Sequence, residues 1–145
     1  MREIYFIVEG RVQPKERPKV YRDPRTGRVH AVTPKKTKVF EELVREAFLE
    51  ECAGEQIFFE GAVHMTVNVY LEIPKSTPKK KRDAMILGDI RPTVKNGDVD
   101  NYFKAVSDAL NDVAYPDDSC IVDGRCRKFY AETPRAEVII KEVEA

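Results

Sequence analysis

From Ala62 to Ile73 the chain alternates strictly: Val63, Met65, Val67, Val69, Leu71 and Ile73 are interleaved with Ala62, His64, Thr66, Asn68, Tyr70 and Glu72. Successive side chains of a β-strand point to opposite faces, so this stretch predicts one long strand with a single buried face. "IYFIVEG" at 4–10 predicts a second strand, closed by glycine. Residues 11–34 carry Pro14, Pro18, Pro24, Gly27 and Pro34 around a turn at "DPRTG", which makes them a long loop or a hairpin rather than a helix. A helix follows, with Thr33 as N-cap, Pro34 at its first position, an apolar stripe of Val39, Phe40, Leu43, Val44, Ala47 and Phe48, and Gly54 as its end.

A loop is expected from Pro74 to about Gly97, and then a second helix, because Val99, Phe103, Val106, Leu110 and Val113 fall on one helical face. Two strands, around Ser119 to Ala131 and Ala136 to Val143, complete the chain across a turn at "ETPR". The order β-α-β-α-β-β predicts an α+β fold: a mixed β-sheet with two main helices packed on it. At 145 residues this is expected to be a single domain spanning 1–145. No apolar run reaches the roughly 18 residues of a membrane span, and Met1 to Val8 is too short and charged for a signal peptide. A cytoplasmic location without a membrane partner is the expectation. Cys52, Cys120 and Cys126 form no CxxC pair and have no Cys/His/Asn arrangement beside them, so they read as reduced, partly buried thiols.

Charge, zero in sum, is segregated along the chain. Arg11 to Lys38 holds ten Lys or Arg against Glu16 and Asp23, and "KSTPKKKR" at 75–82 adds five more without an acid. Between them in sign, Asp98 to Asp123 holds seven aspartates and one base, Lys104. Basic patches flanking a carboxylate cluster suit a polyanion held beside a metal-dependent reaction centre.

Taken singly, Asp98 and Asp100 at a helix start read as ordinary caps. That reading does not cover Asp117 and Asp118, adjacent acids that repel unless something positive lies among them. A hard divalent cation bound by oxygens of Asp98, Asp100 and Asp118 removes the repulsion, and magnesium suits these ligands better than zinc. Asp100, Lys104 and Asp108 stand at i, i+4 and i+8 on one helix edge, so Lys104 either faces a phosphate or simply pairs with its two neighbours. D-x-D-N at 98–101 is no EF-hand loop, because Phe103 and Ala109 stand where glycine and glutamate are required. His30 and His64, remote from the acids, are not expected as ligands. Asp108 and Asp112 are expected to face water or tune the dipole and the lysine, and Tyr5, Phe6 and Tyr21 to pack in core or loops.

"GDVDNYFKAVSDAL", a following "DD" pair and K-x-Y at Lys128 to Tyr130 together resemble the RusA family of Holliday junction resolvases. "VQPKERPKVYRD" and "TPKKT" are similar to that family's N-terminal stretches, so the resemblance spans roughly 7–140. It implies a magnesium-dependent endodeoxyribonuclease, with manganese as a substitute, acting as a homodimer on four-way DNA junctions by paired nicks in recombination and repair. The family's metal-binding aspartates correspond to Asp98, Asp100 and Asp118, and its catalytic lysine to Lys104; Asp117 is either a neighbour supporting the ligands or the ligand in place of Asp118. Gly97 stands where many members carry proline, and Lys19 where they often carry arginine.

Phosphodiester hydrolysis needs an acidified water and a charge sink for the transition state, which a cation held by carboxylates provides. Lys15, Arg17, Lys19, Lys35 and Lys36 are expected to grip DNA phosphates. Two equivalent sites on a two-fold axis suit two symmetric cuts. Two other readings stand beside this one: a non-catalytic nucleic-acid-binding module, and a magnesium nuclease acting on other branched DNA.

Overall fold

The long strand predicted first is the centre of the sheet. A computed structural model describes residues 2–93 and 97–144, and in it β4 (Val63–Glu72) lies between β6 (Arg135–Glu142), antiparallel, and β5 (Ile121–Ala131), parallel. Strand β1 (Glu3–Glu9) pairs antiparallel with β6, which makes a mixed four-stranded sheet of order β1-β6-β4-β5. The connection through 132–134 carries the chain over the end of β4, so β5 and β6 are consecutive without being neighbours.

One face of this sheet is the core. Phe6, Val138, Val67 and Cys126 share a rung, as do Ile4, Ile140, Met65 and Gly124. Helix α1 (Lys35–Cys52) covers the β1 side with Phe40, Val44, Phe48 and Cys52, and Phe6 meets Phe48 edge to face at 5.7 Å. Tyr102, Ala105, Val106, Ser107 and Ala109 are the buried side chains of α3 (Val99–Ala109), which lies over β5. Each fully buried Val, Leu, Ile or Phe contributes about 1.5–3 kcal/mol, so burial along these two seams holds the helices on the sheet.

Several expectations need correction. Helix α1 begins at Lys35 with Pro34 as its cap residue, and Thr33 is not the cap. Val39 and Leu43 are 49% and 42% exposed, because the buried stripe runs through Thr37, Phe40 and Val44 instead. Val99, expected on the core face of its helix, is also exposed.

The predicted loop after Pro74 contains helix α2 (Lys79–Leu87). Pro78 opens it, a run of helix-forming Lys and Arg sustains it, and Gly88 at φ 87 closes it. With Met85 as its one buried residue, α2 has no apolar stripe for periodicity to detect. Val94 to Asn96, the end of that expected loop, lie outside the described residues. Residues 19–32 form a hairpin of β2 (Lys19–Arg22) and β3 (Val29–Val32), which pair only with each other. Observed order is therefore β-β-β-α-β-α-α-β-β, with three helices among the described residues.

Candidate functional site

Asp98 holds the N-cap position of α3, where its carbonyl accepts the amides of Asn101 (3.0 Å) and Tyr102 (3.1 Å). Its carboxylate makes no capping bond, and the residue is exposed. Before it, Gly97 sits at φ 113 with the Tyr102 ring packed where any Cβ would stand. Proline, fixed near φ of about −65°, cannot occupy this position. Lys128 Nζ donates to the Gly97 carbonyl at 3.2 Å and pins the approach to the helix.

Asp100, exposed in the first turn, lines an open cleft of about 410 Å³ with Phe103, Lys104, Gly124 and Cys126. A Cβ on Gly124 would lie 2.7 Å from the Phe103 ring, so glycine there lets α3 sit close on β5. Burial pushes the Cys126 thiol up to about 11, Lys128 opposing and the Asp100 carboxylate adding to the rise. That thiol stays protonated at neutral pH and is no nucleophile.

The second pair of acids arrives from a single 3₁₀ turn, Asp118–Cys120. Asp117 caps it: its carboxylate accepts the Ser119 amide at 3.0 Å, and the Ser119 hydrogen bonds hold its carboxyl below the ordinary range. With Asp117 spent on the turn, Asp118 faces α3. Lys104 Nζ lies 3.3 Å from Asp118 Oδ2 and 2.9 Å from Asp108 Oδ1. The bond to Asp108, ahead of that to Asp118, raises the Lys104 pKa against the opposing effect of burial. The i,i+4 pair thus forms forward to Asp108.

Asp108, expected either to face water or to tune the dipole and the lysine, does the latter: its side chain is only 18% exposed, with Lys104 Nζ on one oxygen and, unforeseen, Lys15 Nζ on the other at 3.3 Å. Lys15 also meets Glu41 Oε1 at 2.9 Å, and its amide donates to the Asn101 carbonyl at 2.8 Å. Burial lowers the Lys15 pKa, but Glu41 and Asp108 more than offset it. Helical spacing flags the Lys104–Asp108 pair, whereas nothing local signals a lysine from the N-terminal segment.

Lys15 is therefore occupied by acids and is not a free phosphate grip. Arg17, Lys19, Lys35 and Lys36 are exposed. Lys19, Lys35 and Lys36 line, with Arg11, an open groove of about 690 Å³ between the hairpin root and α1. His64 pairs with Asp123 across β4 and β5 at 2.9 Å, and His30 stacks on Tyr21. Tyr115, buried below the acids, donates to the Ser107 carbonyl at 2.7 Å; burial, then Asp118 and Asp108, push its pKa up, so it remains neutral.

Asp100, Lys104 and Asp118 come to one edge of α3, but among the described residues no three acidic, His or Cys side chains form a ready-made metal cage. Unbridged carboxylates of like charge stand apart, and at Asp118 the bridging cation is the Lys104 ammonium. The donor chemistry still suits a hard divalent cation: Asp98 and Asp100 present oxygens free of capping duty, and the nearby thiol is protonated. No helix of the described residues is long and apolar enough to cross a membrane.

A family model described as endodeoxyribonuclease RusA matches residues 9–141 of the chain. A Bacillus subtilis (strain 168) protein named "Uncharacterized protein YqaN" is 43% identical over 144 residues, covering 98% of each chain.

Proposed function

The chain belongs to the RusA family of endodeoxyribonucleases, and from that membership we propose that it is a divalent-metal-dependent endonuclease resolving four-way DNA junctions by paired symmetric nicks as a homodimer. The observation that carries this reading is the meeting of two motifs remote in sequence. Lys104, from the D-x-D-N-x-x-K run, stands 3.3 Å from Asp118 of the D-D pair, one helical turn beyond Asp100.

Asp98, Asp100 and Asp118 would hold Mg²⁺, or Mn²⁺ in its place, which supplies an acidified water and a counter-charge for the phosphoryl oxygens. Asp117, committed to its turn, is the weaker ligand. Lys104 carries a full positive charge at neutral pH, as a lysine ordinarily does, and Asp108 and Asp118 stabilise the ammonium further. It acts as an electrostatic partner for the developing oxyanion and not as a base. Asp108 orients that ammonium. The groove cations Arg11, Lys19, Lys35 and Lys36, joined by Arg17, grip the sugar-phosphate backbone and position it without reading bases. Selectivity for a junction then comes from the shape of the branched DNA rather than from base readout.

Purified protein incubated with an end-labelled synthetic four-way junction tests the reading. Symmetric nicks with Mg²⁺ and none with EDTA are expected. Equal rates on four-way, three-way and flap DNA would remove the junction claim and keep the nuclease. Binding without nicking under Mg²⁺ or Mn²⁺ would leave only a nucleic-acid-binding module.

A further inference from the structure

Among the described residues, the β2–β3 hairpin pairs with no other strand. None of its eight strand residues is buried; Val20 is 66%, Val29 61% and Tyr21 53% exposed. An isolated two-stranded ribbon is marginal in water, so apolar and aromatic side chains kept on both of its faces point to a partner. By register, Lys19, Tyr21, His30 and Val32 share one face and Val20, Arg22, Val29 and Ala31 the other. Tyr21 is braced from within the ribbon by His30, stacked at 5.3 Å and 28°.

The tip is fixed as well. Asp23 accepts the Arg25 amide on its carboxylate and the Gly27 amide on its carbonyl, both at 2.8 Å, and Gly27 takes φ 71. Asp23 is also the one acid of residues 17–32, against Arg17, Lys19, Arg22, Arg25 and Arg28. A ribbon this basic repels its counterpart on a second copy and attracts a polyphosphate.

Its root is bolted to the site just described, through Lys15 with Asp108, Glu41 and Asn101. Tyr21 stands six positions after Lys15, a reach of at most about 20 Å in extended chain, or about six nucleotides along a strand.

We propose that this hairpin is an arm that enters branched DNA, its arginines riding on phosphates while Tyr21 stacks on a base left uncovered where the duplexes part. The inference rests on the DNA reading above and adds the contact that distinguishes a junction from a duplex. Inside a duplex every base is already stacked on both sides, and an inserted ring must first separate them; at a branch point a face is open. Selection by an aromatic arm therefore requires no base sequence.

The test is equilibrium binding in EDTA, where no cutting interferes, to a fluorescent four-way junction and a matched duplex. Tyr21→Ala is expected to lower the junction-to-duplex affinity ratio about tenfold. Replacing Arg22, Arg25 and Arg28 together by Ser is expected to reduce the slope of log affinity against log salt by about two to three. A chain with residues 20–31 replaced by a Gly-Ser turn, checked for folding by its thermal melt, should lose the preference altogether. Arm variants that bind junction and duplex as the parent does overturn the arm and leave the nuclease reading intact. Sedimentation of the shortened chain at half the parent's mass overturns it in favour of a subunit contact. A parent that binds neither DNA overturns both.

Discussion

Two basic segments, 11–38 and 75–82, look alike as strings of Lys and Arg, yet the fold treats them differently. The first is tied into the acid site: Lys15 bridges Glu41 and Asp108, and Asp108 in turn holds Lys104. The second becomes α2, with Lys79, Lys80 and Lys81 exposed and Arg82 reaching the Pro74 carbonyl at 3.4 Å and Glu132 at 3.8 Å. Clustered charge says that a polyanion can dock. Only an anchored charge says that docking can be felt where the chemistry occurs.

The largest expected effect asks whether the anchor leads to a reaction centre at all. Asp100→Asn should reduce junction nicking at least about a hundredfold, a loss of the size seen when one electrostatic partner of a transition state is removed. Binding in EDTA should persist or tighten, since a negative charge beside phosphate is lost. Nicking at the parental rate would end the assignment of Asp100, and with it the contrast between the segments.

Removing the bolt is the next test. Asp108→Asn should lower kcat about tenfold with a smaller change in KM, and Asp108→Glu should restore part of kcat, which a merely structural role would not do. Because a partly buried acid with two charged partners is involved, the Asn variant should also lose about 1–3 kcal/mol of stability in denaturant melts. An unchanged kcat would make Asp108 a scaffold residue only.

The unanchored segment should respond more weakly. Lys79, Lys80 and Lys81 replaced together by Ser should weaken DNA binding by less than about tenfold and leave kcat at saturating junction unchanged. A drop in kcat would show that α2 reaches the reaction centre and would erase the distinction.

The smallest effect is on pH. Lys15 and Lys104 have raised folded-state pKa values, so their stabilisation is fully present below their ordinary value of about 10.5 and is lost as pH rises through the raised values. The side chain of Lys104 is 54% exposed and solvent screens much of its share, which leaves Lys15 as the main contributor. Thermal midpoints between pH 9 and 12 should fall more steeply for the parent than for Asp108→Asn; parallel curves would count against the coupling.

Much of this was legible in the sequence. The alternation at 63–73, the stripe through Phe40, Val44 and Phe48, and the start of α3 all emerged where local periodicity placed them. Helix α2 was not legible, because a helix burying one residue leaves no period to read. Nor were the roles of the paired aspartates: Asp117 and Asp118 are neighbours of identical chemistry, and only the turn decides that one caps Ser119 while the other faces Lys104.

By itself, the sequence determined the α+β composition of the chain, its segregated charges, and a carboxylate-rich centre of the RusA kind. These depend on spacing within one element or on motifs read in a row. Tertiary structure alone decided that Lys15 reaches Asp108, that the hairpin stands clear of the core, and that Asp118 faces Lys104 while Asp117 caps its own turn. Those outcomes depend on how α1 and α3 seat on the sheet, and no short window of residues contains that packing.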